Sequence, residues 1–251
     1  MKHYNDWQFF FEDNQQNFDS VRWSSLPELT STEKSLVSAA IQQFQHGENS
    51  EGNHLKRHAK AFDHDYFLSI QSFIKEEQRH SAVLLKFMQQ ENIPTINGHW
   101  IDFVFRKIRN LGNIEISILV LSSAEIMATT FYKALQNSTR SQSLRDICSQ
   151  ILIDEESHIN YQAFTLNKLN TDRGYLRFKF FRYMHTLFVI ATALVVWLQY
   201  RTVYKNGGYS FFTFMNETIK EYMRMESMMA YYRVMETKTQ NFSIAPRPNR
   251  A

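Results

Sequence analysis

The sequence predicts an all-α fold: a four-helix bundle with one long crossover, followed by two additional C-terminal helices. Three observations predict it. Glycine and proline are scarce, 7 and 4 in 251 residues, which disfavours a many-turned β protein and leaves room for long helices. Apolar residues recur at steps of three and four along most of the chain, the pattern of helices with one buried face. The breaks between these stretches are short except for one, and short breaks force neighbouring helices into antiparallel hairpins. Hydrophobic residues make up 43% and charged residues 21%, the balance of a soluble protein with a sizeable core.

Residues 1–28 are aromatic and polar without clear periodicity, and read as an irregular lead-in with a short helix at most. Thr30-Ser31-Thr32-Glu33 is a capping box that starts the first long helix. Val37, Ile41, Phe44, Glu48, Glu51, Leu55 and His58 share its inner stripe, which reaches about Ala61. Asp63-His64-Asp65 breaks the chain. The next stripe, Phe67, Ile70, Phe73 or Ile74, Glu77, His80 or Ser81, Leu84 and Met88, is stopped near Asn92 by Pro94. A connection of about 18 residues follows, with Trp100, Phe103, Val104 and Ile108 at helical spacing. The third helix carries Ile114, Ile118, Leu121, Glu125, Thr129 and Tyr132. After a break over 137–141 the fourth carries Leu144, Ile147, Ile151, Glu155, His158, Gln162, Thr165 and Leu169. Two more helices, about 175–204 and 209–235, are separated by Asn206-Gly207-Gly208. The chain thus reads as a single domain over 1–251. Its four-helix core spans 30–170, the added helices 171–237, and a flexible tail with Pro246 and Pro248 covers 238–251.

Several function classes lose support at this level. The formal charge is +3 and no Lys/Arg cluster dominates, so nucleic acid is not an expected partner. The single cysteine, Cys148, excludes an internal disulfide and a Cys-rich cluster, and reads as a small core residue beside Ile147 and Ile151. The first residues have no apolar signal core, so a cytoplasmic location is expected. Leu187–Leu198 is the longest apolar run; bracketed by His185 and Gln199 it is short for a bilayer span and reads as a buried helix. Arg177, Lys179, Arg182 and Arg201, set among Phe180, Phe181, Trp197 and Tyr200, keep peripheral membrane contact open as the alternative.

The acids within the apolar stripes carry the functional signal. Glu48 and Glu77 lie about 15 and 14 residues either side of the first break, and Glu125 and Glu155 about 15 either side of the second. At ~1.5 Å per residue each sits about 22 Å from its hairpin, so all four would meet at one level. His80 and His158 follow Glu77 and Glu155 by three residues, on the same faces. Four buried carboxylates cannot remain charged without compensation. Two divalent cations would balance them, with one imidazole for each; this hard-plus-borderline donor set suits iron or manganese better than zinc. One Glu-x-x-His triplet is expected by chance, and Glu51-Gly52-Asn53-His54 reads as such a coincidence. Two triplets on apolar stripes, each with a partner Glu at matching depth, do not.

The pieces Gly47-Glu48, Glu76-Glu77-Gln78-Arg79-His80, Ala124-Glu125 and Asp154-Glu155-Glu156-Ser157-His158 resemble the ferritin-like di-iron carboxylate superfamily, in which two helices give one Glu each and two give Glu-x-x-His. The resemblance covers about residues 30–170. It implies Glu48, Glu77, His80, Glu125, Glu155 and His158 as ligands of two iron ions, or of an iron–manganese pair, with O2 as co-substrate. By the same analogy Asp154 would orient His80 and Glu76 would orient His158. Glu51 is implied as either a supporting acid or an extra ligand, and Glu156 as a solvated one. The stretch Gly47-Glu48-Asn49-Ser50-Glu51 is weakly similar to the first ligand helix of aldehyde-deformylating oxygenases. One cysteine excludes the rubredoxin ligands of rubrerythrins. Leu84 stands where ribonucleotide reductase small subunits place a radical tyrosine, and the helices after Asn170 would hinder a ferritin shell.

What remains is an oxidase or oxygenase acting on a small hydrophobic substrate with an external electron donor, either as a monomer or as a homodimer. Tyr132 and Tyr161 near the motifs read as packing. Two other readings stay open: an iron-oxidising or iron-handling protein without an organic substrate, and a metal-free helical interaction module.

Overall fold

The computed structural model describes residues 3–16, 18–99, 107, 108, 112–171 and 173–244, and every regular element among them is helical. Helix α1, Tyr4–Asp13, is the short helix allowed for in the lead-in. Its ten residues would be marginal alone. It persists because Tyr4, Trp7 and Phe11 form one stripe, and their burial against the core is worth about 2–3 kcal/mol each.

The expected first helix is two helices. α2 runs Ser31–Glu48 from the Thr30/Glu33 capping box, in which Glu33 N–H donates to Thr30 Oγ1 (3.2 Å) and Thr30 N–H to Glu33 Oε2 (3.0 Å). It stops at Glu48, and α3 spans Asn53–Phe62. Between them Gly52 takes φ +59°, and a Cβ there would stand 2.3 Å from Ile74 Cδ1. Only glycine relieves both the left-handed backbone and the close approach, so periodicity through residues 49–52 was misleading. Asp63 caps α4, His64–Gln90, accepting from Tyr66 N–H at 2.7 Å.

Beyond the crossover lie α5, Ile114–Asn137, and α6, Gln142–Leu169, capped by Asn113 and Ser141. Trp100, Phe103 and Val104, expected at helical spacing in the crossover, fall outside the described residues; Lys107 and Ile108 are helical. α7 spans Tyr175–Asn206 and α8 Phe211–Ile244. The irregular tail expected from Thr237 is therefore helix as far as Ile244, and residues 245–251 lie outside the described ones. At the α7–α8 turn a Cβ on Gly207 would meet the carbonyl oxygen of Ala134 at 2.3 Å, so glycine lets the turn close against the backbone of α5.

α4 packs against α1, α2, α3 and α6. α5 and α6 form the most extensive pair, α7 covers α5, and α8 covers α6 and part of α5. The 187–198 run is not the fully buried helix expected of it. Val189, Ala193 and Val196 are buried, whereas Leu187, Ile190, Leu194 and Leu198 are exposed.

Candidate metal centre

Four helices deliver the acids to one place. Glu48 is the last residue of α2, Glu76, Glu77 and His80 occupy one turn of α4, Glu125 is mid-α5, and Asp154, Glu155 and His158 occupy one turn of α6. One donor atom from each of Glu77, Glu125, Glu155 and His158 falls within 4.8 Å of all the others, and so it is for Glu48, Glu77 and His80. Glu77 belongs to both groups. His158 Nδ1 is 3.0 Å from Glu77 Oε1, 3.6 Å from Glu155 Oε2 and 3.8 Å from Glu125 Oε2. His80 Nδ1 is 3.8 Å from Glu77 Oε1 and 4.0 Å from Glu155 Oε1.

The outward nitrogens are fixed by a crossed pair of carboxylates. His80 Nε2 lies 3.0 Å from Asp154 Oδ2, and His158 Nε2 lies 3.0 Å from Glu76 Oε2. Each ring is thereby oriented with Nδ1 toward the cluster. Glu76 and Asp154 are held in turn. Asn14 Nδ2 donates to Glu76 Oε1 and, at 3.1 Å, to Asp154 Oδ1. Arg79 donates to Glu76 (3.2 Å) and Gln150 to Asp154 (3.0 Å). Asn14, just past the end of α1, thus ties the supports of both imidazoles together. Nothing in the sequence marked it, because its partners lie 62 and 140 residues away.

The inner atoms are the opposite case. His80 Nδ1, His158 Nδ1, Glu77 Oε1, Glu125 Oε1 and both Glu155 carboxylate oxygens are buried without a hydrogen bond of good geometry, and close approaches such as the 3.0 Å His158 Nδ1–Glu77 Oε1 ion pair are all that compensates them. Such atoms cost about 1–3 kcal/mol each, more when charged. The electrostatics show the same strain. Burial, then the neighbouring Glu77, Glu155 and Glu125, push the Glu48 carboxyl well above the usual range. Burial and Glu125 do the same to Glu155. At Glu77 burial also acts upward, but His158 and His80 outweigh it and hold the carboxyl at about 2. Burial alone would lower His158, yet Glu77, Glu125, Glu155 and Glu76 together raise it well above the ordinary imidazole value. A protein left with these groups must hold protons where cations would otherwise sit. The residues present could therefore hold metal: carboxylate oxygens and imidazole nitrogens converge in two groups that share Glu77.

Glu51 is not brought into this cluster. It is exposed and accepts from Asn53 Nδ2 at 2.6 Å, because the chain breaks directly after Glu48. The depth argument for Glu48 assumed an unbroken helix; α2 and α3 both follow α4, so Glu48 still meets Glu77. His54 pairs with His58 at 3.2 Å, and Glu156 is exposed, 2.9 Å from Arg224. Tyr132 does more than pack: its hydroxyl donates to Glu48 Oε1 at 3.0 Å. Tyr161 instead shares a hydrogen bond with Ser69 at 2.6 Å. Cys148 is buried.

A cavity of about 200 Å³ opens beside Glu48, Glu77 and Glu125, walled by Phe44, Leu55, Phe73, Ile74, Val120 and Val196. Its polar residues away from the cluster include Gln43 and His99. Gln199 bridges these two, donating to Gln43 Oε1 at 3.3 Å with His99 Nε2 3.4 Å away. Compared with models of known families, with curated proteins and with solved structures, the chain matches none.

Proposed function

We propose that this protein is a non-haem di-iron oxidase or oxygenase of the ferritin-like kind, acting on a small hydrophobic organic substrate. The observation that carries this reading is the buried convergence of ligand atoms from Glu48, Glu77, His80, Glu125, Glu155 and His158 in two groups that share Glu77, most of them without a hydrogen bond of good geometry. Glu77 would bridge the pair, because it belongs to both ligand groups. Glu48 and His80 would serve one ion, Glu125 and His158 the other, and Glu155 lies within reach of both imidazoles. An iron–manganese pair would use the same donors.

A bound ferrous pair supplies the electrons and open coordination positions that activate O2. The chain's own part is positioning. Asp154 and Glu76 keep the Nε2 protons in place so that Nδ1 stays a ligand. The Tyr132 hydroxyl holds Oε1 of Glu48, and the other oxygen would be the one to bind metal. Phe44, Phe73, Ile74 and Val196 exclude water beside the carboxylates, and seat an apolar molecule against them. As a mono-oxygenation the balance is RH + O2 + 2 e⁻ + 2 H⁺ → ROH + H2O, with both electrons from an external donor.

The test is anaerobic loading with ferrous iron, metal analysis, and then O2 with a panel of small hydrophobic substrates. Two irons per chain, O2-dependent spectral change and an oxidised organic product are expected, all lost in Glu155→Ala. Iron below one equivalent would sink the proposal. O2 uptake with ferric product and no organic oxidation would reassign the site to iron oxidation alone.

A further inference from the structure

α7 is apolar on nearly every side, yet the protein covers only part of it. A helix of that composition belongs in a core or against lipid, and only 33% of its most apolar window is buried, against 78% for α5. The buried side is Val189, Ala193, Val196 and Val203, packed toward α5. The other side presents Leu176, Phe180, Tyr183, Leu187, Leu194 and Leu198 to the exterior, with Leu176 79% and Leu198 68% exposed. These recur at steps of three, four and, from Leu187 to Leu194, seven, so they form one stripe about 33 Å long. A groove lined by Tyr183, Ile190, Ile219 and Met223 joins the stripe to α8, widening it into a face far beyond the scattered apolar residues of an ordinary surface.

The charges select the occupant. α7 carries five basic side chains, Arg177, Lys179, Arg182, Arg201 and Lys205, and no acidic one. They stand at its two ends, leaving the middle of the stripe free of charge. A second copy packed on the same stripe would set basic end against basic end in either direction, which like-charge repulsion opposes. The neighbouring acids are engaged already: Glu217 with Lys220 (2.8 Å), Glu221 with Lys133 (3.1 Å) and Arg224 (2.8 Å), and Glu226 with Arg182. An anionic bilayer surface meets both features, taking the apolar stripe among its acyl chains and the basic ends at its headgroups.

We propose that the α7–α8 face docks this protein on anionic phospholipid membranes, with α7 lying in the plane of the interface. It cannot cross the bilayer, because its inner side remains packed on α5. Val196 and Tyr200 on that inner side wall the cavity beside the acids, so one helix separates lipid from cavity. The docking stands independently of whether the centre holds metal.

The experiment is sedimentation of the full chain with vesicles of phosphatidylcholine alone or mixed with phosphatidylglycerol. Pelleting with the mixed vesicles and weak pelleting with phosphatidylcholine alone are expected, with release at high salt. Arg177→Glu and Arg201→Glu each weaken partitioning about fivefold or more. Leu187→Glu with Leu194→Glu abolishes it, while melting temperature and metal content stay unchanged. A chain that stays in the supernatant with anionic vesicles overturns the proposal. So does a dimer in light scattering that Leu187→Glu splits while vesicle binding is absent. Equal pelleting of the double Leu variant would place the lipid contact elsewhere and overturn it too.

Discussion

Between α2, α4, α5 and α6 the protein buries carboxylates and imidazoles whose inner atoms lack a hydrogen bond of good geometry; along α7 it turns leucine, isoleucine and phenylalanine toward water. The ordinary arrangement is inverted twice, in opposite senses. Each inversion costs free energy in a domain whose net stability is only about 5–15 kcal/mol, and the ion pairs of the centre offset its cost only in part. Where local rules fail, function is the usual reason. The polar interior calls for cations and the apolar exterior calls for an apolar environment. α5 sharpens the contrast. It too is long and apolar enough to span a membrane, but α6, α7 and α8 cover it.

The contrast breaks most visibly if the two regions respond alike to substitution. Phe73→Ala, which removes a buried ring stacked edge-on to His158 at 4.8 Å, should cost about 3–5 kcal/mol in denaturant unfolding. Glu155→Ala should act differently. The metal-free protein should melt no lower than wild type, since a repelled buried carboxyl is gone. The stabilisation by ferrous or manganous ion, about 2.7 kcal/mol at a hundredfold excess over Kd, should vanish. A variant that loses metal-free stability instead would make Glu155 a structural residue.

pH separates the regions next. Glu48, Glu155 and His158 have raised values in the folded state. Their contribution to metal-free stability is complete below their unfolded values, about 4.5 and 6.5, and is lost as pH rises through the folded ones, at up to about 1.4 kcal/mol per unit per group. Glu77, held at about 2, contributes above the ordinary carboxylate value and loses its share only as pH falls toward 2. Metal-free melting should therefore decline from pH ~6 to pH ~8. Metal affinity should rise over the same interval because binding expels protons. A flat melting profile would contradict the burial of these groups.

Smaller effects follow. Asn14→Ala removes the side chain joining Glu76 and Asp154, and should cost about 0.5–1.5 kcal/mol with a metal affinity up to about tenfold weaker, read by competition with a chelator. Leu198→Ser on the open stripe should change stability by less than about 0.5 kcal/mol. A larger loss would mean that the α7 face is covered in solution.

Much of this was legible in the chain. The long helices follow from steps of three and four, and the Thr30/Glu33 capping box marks the start of α2. The six acids and histidines were legible for the same reason, since a Glu-x-x-His on an apolar stripe fixes both side chains to one face. Asn14 was not, because a hydrogen bond across 140 residues leaves no local trace. Glu51 was misread because a stripe drawn through Gly52 looks continuous until a left-handed residue turns it aside. The helix to Ile244 was missed where periodicity was weak.

By itself, then, the sequence determined which residues share a helical face, since that depends on the geometry of neighbours three and four apart. Only the tertiary structure decided what each face meets: that Asn14 ties two carboxylates together, that Glu51 faces water, and that one side of α7 has none of the described residues over it. Covering a face is a property of the partner packed against it, and no period within a helix encodes the partner.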